Sequence, residues 1–114
     1  MKTAIITGCN RGLGKAFMEA YASNGYDIIA IVRTASQEFE VAIQNLQKKS
    51  GIAITPVYAE LSEKESLQKA LNKIVALERP IDVLINNAGY YSIGVAEAIT
   101  EEEIRRQIET TSWD

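Results

Sequence analysis

Thr7-Gly8-Cys9-Asn10-Arg11-Gly12-Leu13-Gly14 follows directly on the apolar run Ala4-Ile5-Ile6 and opens into the helical pattern of Lys15 to Tyr21. The order is strand, glycine turn, helix. Residues without a Cβ let a backbone bend sharply and lie close to a pyrophosphate, while the first free N–H groups of the helix point at the negative charge. The general dinucleotide fingerprint spaces its glycines as G-x-G-x-x-G, whereas Gly8, Gly12 and Gly14 fall as G-x-x-x-G-x-G. Two readings compete: a phosphate-binding turn, and a tight turn that only lets a strand pack on a helix. The strand before and the helix after favour the first.

Working outward, strand and helix patterns alternate. The first strand covers about Thr3 to Thr7, and the first helix places Leu13, Phe17, Ala20 and Tyr21 on one face, with Asn24-Gly25 as its stop. Ile28-Ile29-Ala30-Ile31-Val32 is a continuous run that suits a strand buried on both faces. A helix from about Ser36 to Lys49 turns Phe39, Ile43 and Leu46 inward, carries a Thr34/Gln37 capping-box spacing and ends at Gly51. Ile52 to Ala59 forms the third strand, and its Pro56 assigns it to a sheet edge. Ser62 and Glu65 form a second capping box before a helix that buries Leu67, Leu71, Ile74 and Val75. Pro80 precedes the fourth strand, Ile81 to Ile85, and Thr100 and Glu103 cap a last helix with Ile104 and Ile108. The order βαβαβαβα implies a doubly wound α/β fold: a parallel sheet, right-handed crossovers, and helices on both faces in three α/β/α layers.

The 114 residues, 46% hydrophobic and 24% charged, suit one soluble domain spanning 1–114. A net charge of -3 leaves no basic footprint for nucleic acid. The single Cys9 excludes an internal disulfide and fits a reducing compartment. The apolar run after Met1-Lys2 is too short for a signal peptide or a membrane span, so the expected location is cytoplasmic. With no histidine in the chain, proton transfer falls to Tyr, Lys, Asp, Glu or a hydroxyl relay.

In a parallel sheet of this kind the ligand lies beyond the carboxyl ends of the strands. After the second strand stands Arg33, where an NAD site would carry an acid for the ribose 2′-hydroxyl, roughly 20 residues past the glycines. An arginine cannot accept that hydrogen bond, but it can clamp a 2′-phosphate, with Arg11 as a second guanidinium. The alternative is that both are solvated loop charges. After the third strand, Glu60 is either an acceptor for the adenine amine, with Leu61 packed on the ring, or a solvated acid beside Ser62. After the fourth, Asn86-Asn87-Ala88-Gly89 offers amides to bridge strand ends and small residues that leave room for a ribose and a nicotinamide. Cys9 is either a thiol activated by the helix terminus or a small turn filler, and Ser92 is a loop hydroxyl with no base in reach. Glu101-Glu102-Glu103 suits a helix start better than a metal site.

Thr7-Gly8-x-x-x-Gly12-x-Gly14 together with Asn86-Asn87-Ala88-Gly89 resembles the short-chain dehydrogenase/reductase family, over essentially the whole chain to about Thr110. The resemblance implies a Rossmann-like fold that binds NAD or NADP and supports hydride transfer between the nicotinamide and a carbonyl or alcohol. It implies that Gly8, Asn10, Arg11, Gly12, Leu13 and Gly14 hold the phosphates, that Arg33 selects NADP over NAD, and that Glu60 stands where the family usually has aspartate. Asn86, Asn87, Ala88 and Gly89 would line the ribose and nicotinamide.

The family's Tyr-x-x-x-Lys pair is missing: none of Tyr21, Tyr26, Tyr58, Tyr90 and Tyr91 has a lysine four residues later. Thr111 stands where the family's last helix usually delivers a catalytic asparagine, and Ser112-Trp113-Asp114 departs from the usual apolar continuation. The expectation is a cofactor-binding half, from a truncated frame or an expressed fragment, without turnover of its own. The alternative is a non-catalytic nucleotide-binding module. The family's strand order, third, second, first, fourth, would leave Ile81 to Ile85 as an uncovered apolar edge, so self-association through that strand or the last helix is expected.

Overall fold

The computed structural model describes residues 2–87, 94–99, 102 and 104–106. Its elements are β1 (Thr3–Thr7), α1 (Gly12–Ser23), β2 (Asp27–Val32), α2 (Gln37–Ser50), β3 (Ile54–Tyr58), α3 (Lys64–Ala76), β4 (Ile81–Asn86) and β5 (Gly94–Ile99). They form one sheet in the order β3-β2-β1-β4-β5. The first four strands are parallel, with Ile5 opposite Ile29 on one side and Leu84 on the other. No described helix is long and apolar enough to cross a membrane.

Burial follows strand position. The five residues of β1 are all buried, and β2 and β4 each have a single half-buried residue. Such strands carry apolar side chains on both faces because helices cover both. Ala4, Ile6, Ile28, Ala30 and Ile85 pack with Met18 and Ala22 of α1 and with Phe39 and Ile43 of α2. Ile5, Ile29, Ile31 and Leu84 pack on the other face with Leu67, Leu71 and Ile74 of α3 and with Ile104. β3 is at the edge, as Pro56 indicates, and Pro56 itself is exposed.

Several local readings are corrected. The buried stripe of α1 is Gly14, Met18 and Ala22, while Leu13 is 53% exposed and Ala20 is also exposed. The helix is rotated by about one residue because Gly14, the residue without a side chain, lies against Gly8, just past the end of β1. On α3 the stripe is Leu67, Ala70, Leu71 and Ile74, and Val75 falls one step past it, 48% exposed. The cap of α2 is Ser36, whose Oγ accepts from the Phe39 N–H at 3.1 Å, not Thr34, which lies too far ahead of the first helical residue. Ser62 does not cap α3: its hydroxyl donates to Glu60 Oε1 at 2.6 Å, a charged acceptor that outcompetes the backbone.

The largest correction is β5, which pairs antiparallel with β4, Val83 opposite Glu97 and Ile85 opposite Val95. The edge expected to lie open at Ile81 to Ile85 is therefore covered, and the route to self-association through that strand is removed. Gly94-Val95-Ala96-Glu97-Ala98-Ile99 gives little strand signal because Gly, Ala and Glu have weak β-propensity. Beyond it, Glu102 and Ile104–Arg106 are helical, Ile104 is buried, and Arg105 Nη2 donates to Gln68 Oε1 at 2.8 Å. Thr100, Glu103 and Ile108 of the expected last helix lie outside the described residues.

After α3 the chain turns through Glu78, whose φ of 52° is left-handed, while Gly25 and Gly51 serve the same purpose after α1 and α2 with φ of 84° and 73°. A Cβ in that region costs roughly 1–2 kcal/mol. Glu78→Gly is expected to stabilise the chain by about 1 kcal/mol, raising the urea midpoint without changing the slope. An unchanged or lowered midpoint would show that the Glu78 side chain offsets its backbone strain.

Candidate functional site

The four parallel strands end on the same side of the sheet, and the residues just past them line one open groove of about 690 Å³. Gly8, Asn10, Arg11 and Gly12 come from the turn after β1, and Ile31, Val32, Arg33 and Thr34 from the end of β2. Ala59, Glu60 and Leu61 follow β3, and Asn87 follows β4. β2 and β4 flank β1 on opposite sides, so the chain reverses direction across the sheet at this point, where such sheets bind ligands.

The glycine turn is shaped by two left-handed residues, Gly8 at φ 64° and Gly12 at φ 59°. A Cβ on Gly12 would meet nothing within 4 Å, so this glycine serves conformation rather than packing. The Gly8 N–H donates to the Ile31 carbonyl at 2.9 Å and ties the turn to β2. Arg11 occupies the N-cap of α1 in extended conformation, makes no side-chain cap, and no acid stands in the first turn. The N–H groups of Gly12, Leu13 and Gly14 therefore lack an intrahelical acceptor and suit an anion. By contrast, α2 has the Ser36 cap with Glu38 and Glu40 in its first turn.

Beneath the groove the strand ends are pinned by polar side chains. Thr7 Oγ1 donates to Asn86 Oδ1 at 2.9 Å and accepts from the Asn87 N–H at 2.8 Å, and both Thr7 and Asn86 are fully buried. Asn87 Nδ2 donates to the Gly8 carbonyl at 3.3 Å. Bridging of neighbouring strand ends by asparagine amides is thus seen directly, and Asn86 is a strut under the groove rather than part of its lining. Gly14 is buried beside this strut, where a Cβ would run into the Gly8 carbonyl and the Asn87 amide. Cys9 is also buried, and burial pushes its thiol up to about 12, so it fills space as a neutral thiol.

Arg33 and Glu60, placed apart in sequence, meet here: Arg33 Nε lies 2.7 Å from Glu60 Oε2, with side-chain exposures of 77% and 28%. The Ser62 hydroxyl, more than any other group, holds the Glu60 carboxyl below its ordinary range, against a smaller opposing effect of burial and with Arg33 adding to the lowering. Leu61 is buried in the α3-side core and shows only an edge to the groove. Leu13 does not line it, and Ala88, Gly89, Ser92 and Thr111 lie outside the described residues. Thr34 was read from the sequence as a helix cap and not as a groove residue, and its place one residue past Arg33 was the available signal.

Two substitutions separate packing from backbone conformation. Gly14→Ala is expected to destabilise by about 1–3 kcal/mol through overpacking against a backbone carbonyl, and Gly12→Ala by roughly 1–2 kcal/mol through its φ alone. Denaturant midpoints would check both, and a Gly14→Ala chain as stable as the parent would contradict the close approach. A carbon-detected titration addresses Glu60. Its folded pKa is lowered, so its stabilising contribution is present above the unfolded pKa and is lost as pH falls through the folded one. Ser62→Ala is expected to raise the Glu60 pKa more than Arg33→Ala does, and the reverse order would reassign the cause.

The chain matches the family model for short chain dehydrogenase over residues 2–112. The 3-oxoacyl-acyl-carrier-protein reductase of Aquifex aeolicus is 30% identical over 113 residues, 99% of this chain and 42% of that protein. The alcohol dehydrogenase of the archaeon Thermococcus sibiricus, solved with 5-hydroxy-NADP, superposes with a TM-score of 0.73 at 30% identity, covering 96% of this chain and 46% of that one. A short-chain dehydrogenase of Sphingobium yanoikuyae, solved with NADPH, gives 0.70 at 29% identity, covering 97% and 44%. The chain spans less than half the length of these relatives. With the strand order and the glycine turn described above, the match over nearly all of its length means that the chain belongs to the short-chain dehydrogenase family.

Proposed function

We propose that this chain is the cofactor-binding part of an NADP-dependent oxidoreductase that transfers a hydride between NADP(H) and a carbonyl or alcohol substrate. The observation that carries the reading is the position of Arg33, at the end of β2 in the same groove as the uncapped start of α1. A pyrophosphate on the N–H groups of Gly12, Leu13 and Gly14 places the adenosine ribose toward β2, where a guanidinium accepts a 2′-phosphate and an acid would be needed for a free 2′-hydroxyl. Arg11 lines the groove and adds positive charge. Two of the similar structures hold NADPH or 5-hydroxy-NADP, which supports the same cofactor class.

The nicotinamide, when bound, supplies the hydride. This chain's residues orient it: Asn87 stands at the end of β4, and Ala88 and Gly89 follow it in sequence. A proton donor for the reacting oxygen is a separate requirement, worth ~10²–10⁴-fold. The 114 residues contain no histidine and no Tyr-x-x-x-Lys. That observation favours, as second reading, a chain that binds the dinucleotide without catalysing its reaction.

Titration with NADPH and NADH tests the cofactor assignment. NADPH is expected to bind about tenfold or more tightly, the lower end of the 1.5–3 kcal/mol typical of hydrogen bonds to charged groups, because Arg33 is largely exposed and already paired. Equal affinities, or a preference for NADH that survives Arg33→Ala, would remove the phosphate-clamp reading.

A further inference from the structure

Glu60 has two separable roles open to it at the end of β3: a contact to the ligand's base, or a contact to the protein. Three donors already converge on its carboxylate. Arg33 Nε meets Oε2 at 2.7 Å, while the Ser62 hydroxyl and the Ser62 N–H reach Oε1 at 2.6 and 3.3 Å. Its backbone is held as well, since the Glu60 N–H donates to Ser66 Oγ at 2.8 Å and the Ala59 N–H donates to the Val32 carbonyl at 2.9 Å. These bonds lock the two chain segments that carry Arg33 and Glu60 side by side.

A guanidinium has five N–H donors in a rigid fork, and a carboxylate at Nε leaves the two terminal nitrogens free to grip a second anion. Among the described residues, Arg33 has no other ion-pair partner. We propose that Glu60 is a positioning residue for Arg33: held by Ser62, it fixes the guanidinium by Nε and presents the terminal nitrogens to a cofactor's 2′-phosphate, without itself touching the cofactor. The inference rests on the NADP reading above. A long arginine, 77% exposed, would otherwise lose its rotamer freedom only on binding. A phosphate held by the terminal nitrogens would take a different edge of the guanidinium from the carboxylate, and solvent in the open groove would screen their repulsion.

The experiment uses the full chain and measures NADPH and NADH affinities for the parent, Arg33→Ala, Glu60→Ala, Glu60→Gln and the Arg33→Ala/Glu60→Ala double variant, each confirmed as folded by circular dichroism. Glu60→Ala is expected to weaken NADPH roughly three- to tenfold and leave NADH within about twofold, with Glu60→Gln between it and the parent. In the Arg33→Ala background the same change is expected to leave the NADPH-to-NADH ratio unaltered, the non-additivity of a residue acting through another. The Arg33 Nε–Hε resonance should be protected from exchange in the parent and lose that protection in Glu60→Ala. Equal weakening of both cofactors would assign Glu60 to the adenine and overturn the proposal, as would tighter NADPH binding by Glu60→Ala. A parent that prefers NADPH but is indifferent to Glu60 sinks only this inference. A parent without any preference sinks the NADP reading and this inference with it.

Discussion

The groove depends on one close approach. Gly14 lies where any side chain would strike the Gly8 carbonyl and the Asn87 amide, so α1 descends onto the end of β1 more closely than an alanine would permit. That contact sets the rotation of the helix, turning Met18 and Ala22 into the sheet and leaving Leu13 outside. The start of α1 lines the same groove as the residues at the ends of β2 and β3. The Asn87 side chain, bonded to Gly8 and standing over Gly14, joins β4 to the same point.

The two ends of the sheet are finished differently. At the amino ends, side-chain acceptors meet backbone donors: Asp82 accepts from the Thr3 N–H at 2.9 Å, Asp27 from Ala53 at 3.0 Å and Gln47 from Ile54 at 2.8 Å. Arg79 adds an ion pair to Asp27 at 3.4 Å. This end is closed by the protein's own groups. At the carboxyl ends the struts Thr7 and Asn86 are buried, and above them the donors of α1 face the groove. An exterior ligand is the natural partner for donors left in that state.

What was legible in the sequence followed from patterns with one dominant cause. β-branched runs marked β2 and β4, Pro56 marked the edge, and glycines after α1 and α2 marked their ends. The less legible features depended on competition between partners. Ser62 had the spacing of a cap but found a carboxylate, and the apolar stripe of α1 gave way to the demands of Gly14. β5 was missed because Ala and Glu carry little strand preference, and pairing with β4 overrides their propensity. The structure gathers Arg11, Arg33, Glu60 and Asn87 around one groove, yet the Arg33–Glu60 pair was not anticipated, because each was considered against a ligand and not against the other.

Charge placement around the groove extends the same logic. Among α1, α2 and α3, only α1 has no acid in its first turn, whereas α2 has Glu38 and Glu40 and α3 has Glu65. An N-cap side chain is typically worth about 1 kcal/mol, and an acid near the terminus contributes about 0.3–1 kcal/mol more, so α1 forgoes stability that α2 secures. An acid at the α1 terminus would compete with a phosphate for the same N–H groups. The acid that does reach the groove, Glu60, is bound to Arg33 and Ser62 instead. Among the described residues, negative charge is therefore kept off the start of α1 and lies on the β2–β3 side of the groove, where it is matched by a cation with donors to spare. On the NADP proposal, a site arranged in this way would select its ligand by the 2′-phosphate, since the pyrophosphate would be bound by backbone that every dinucleotide can use.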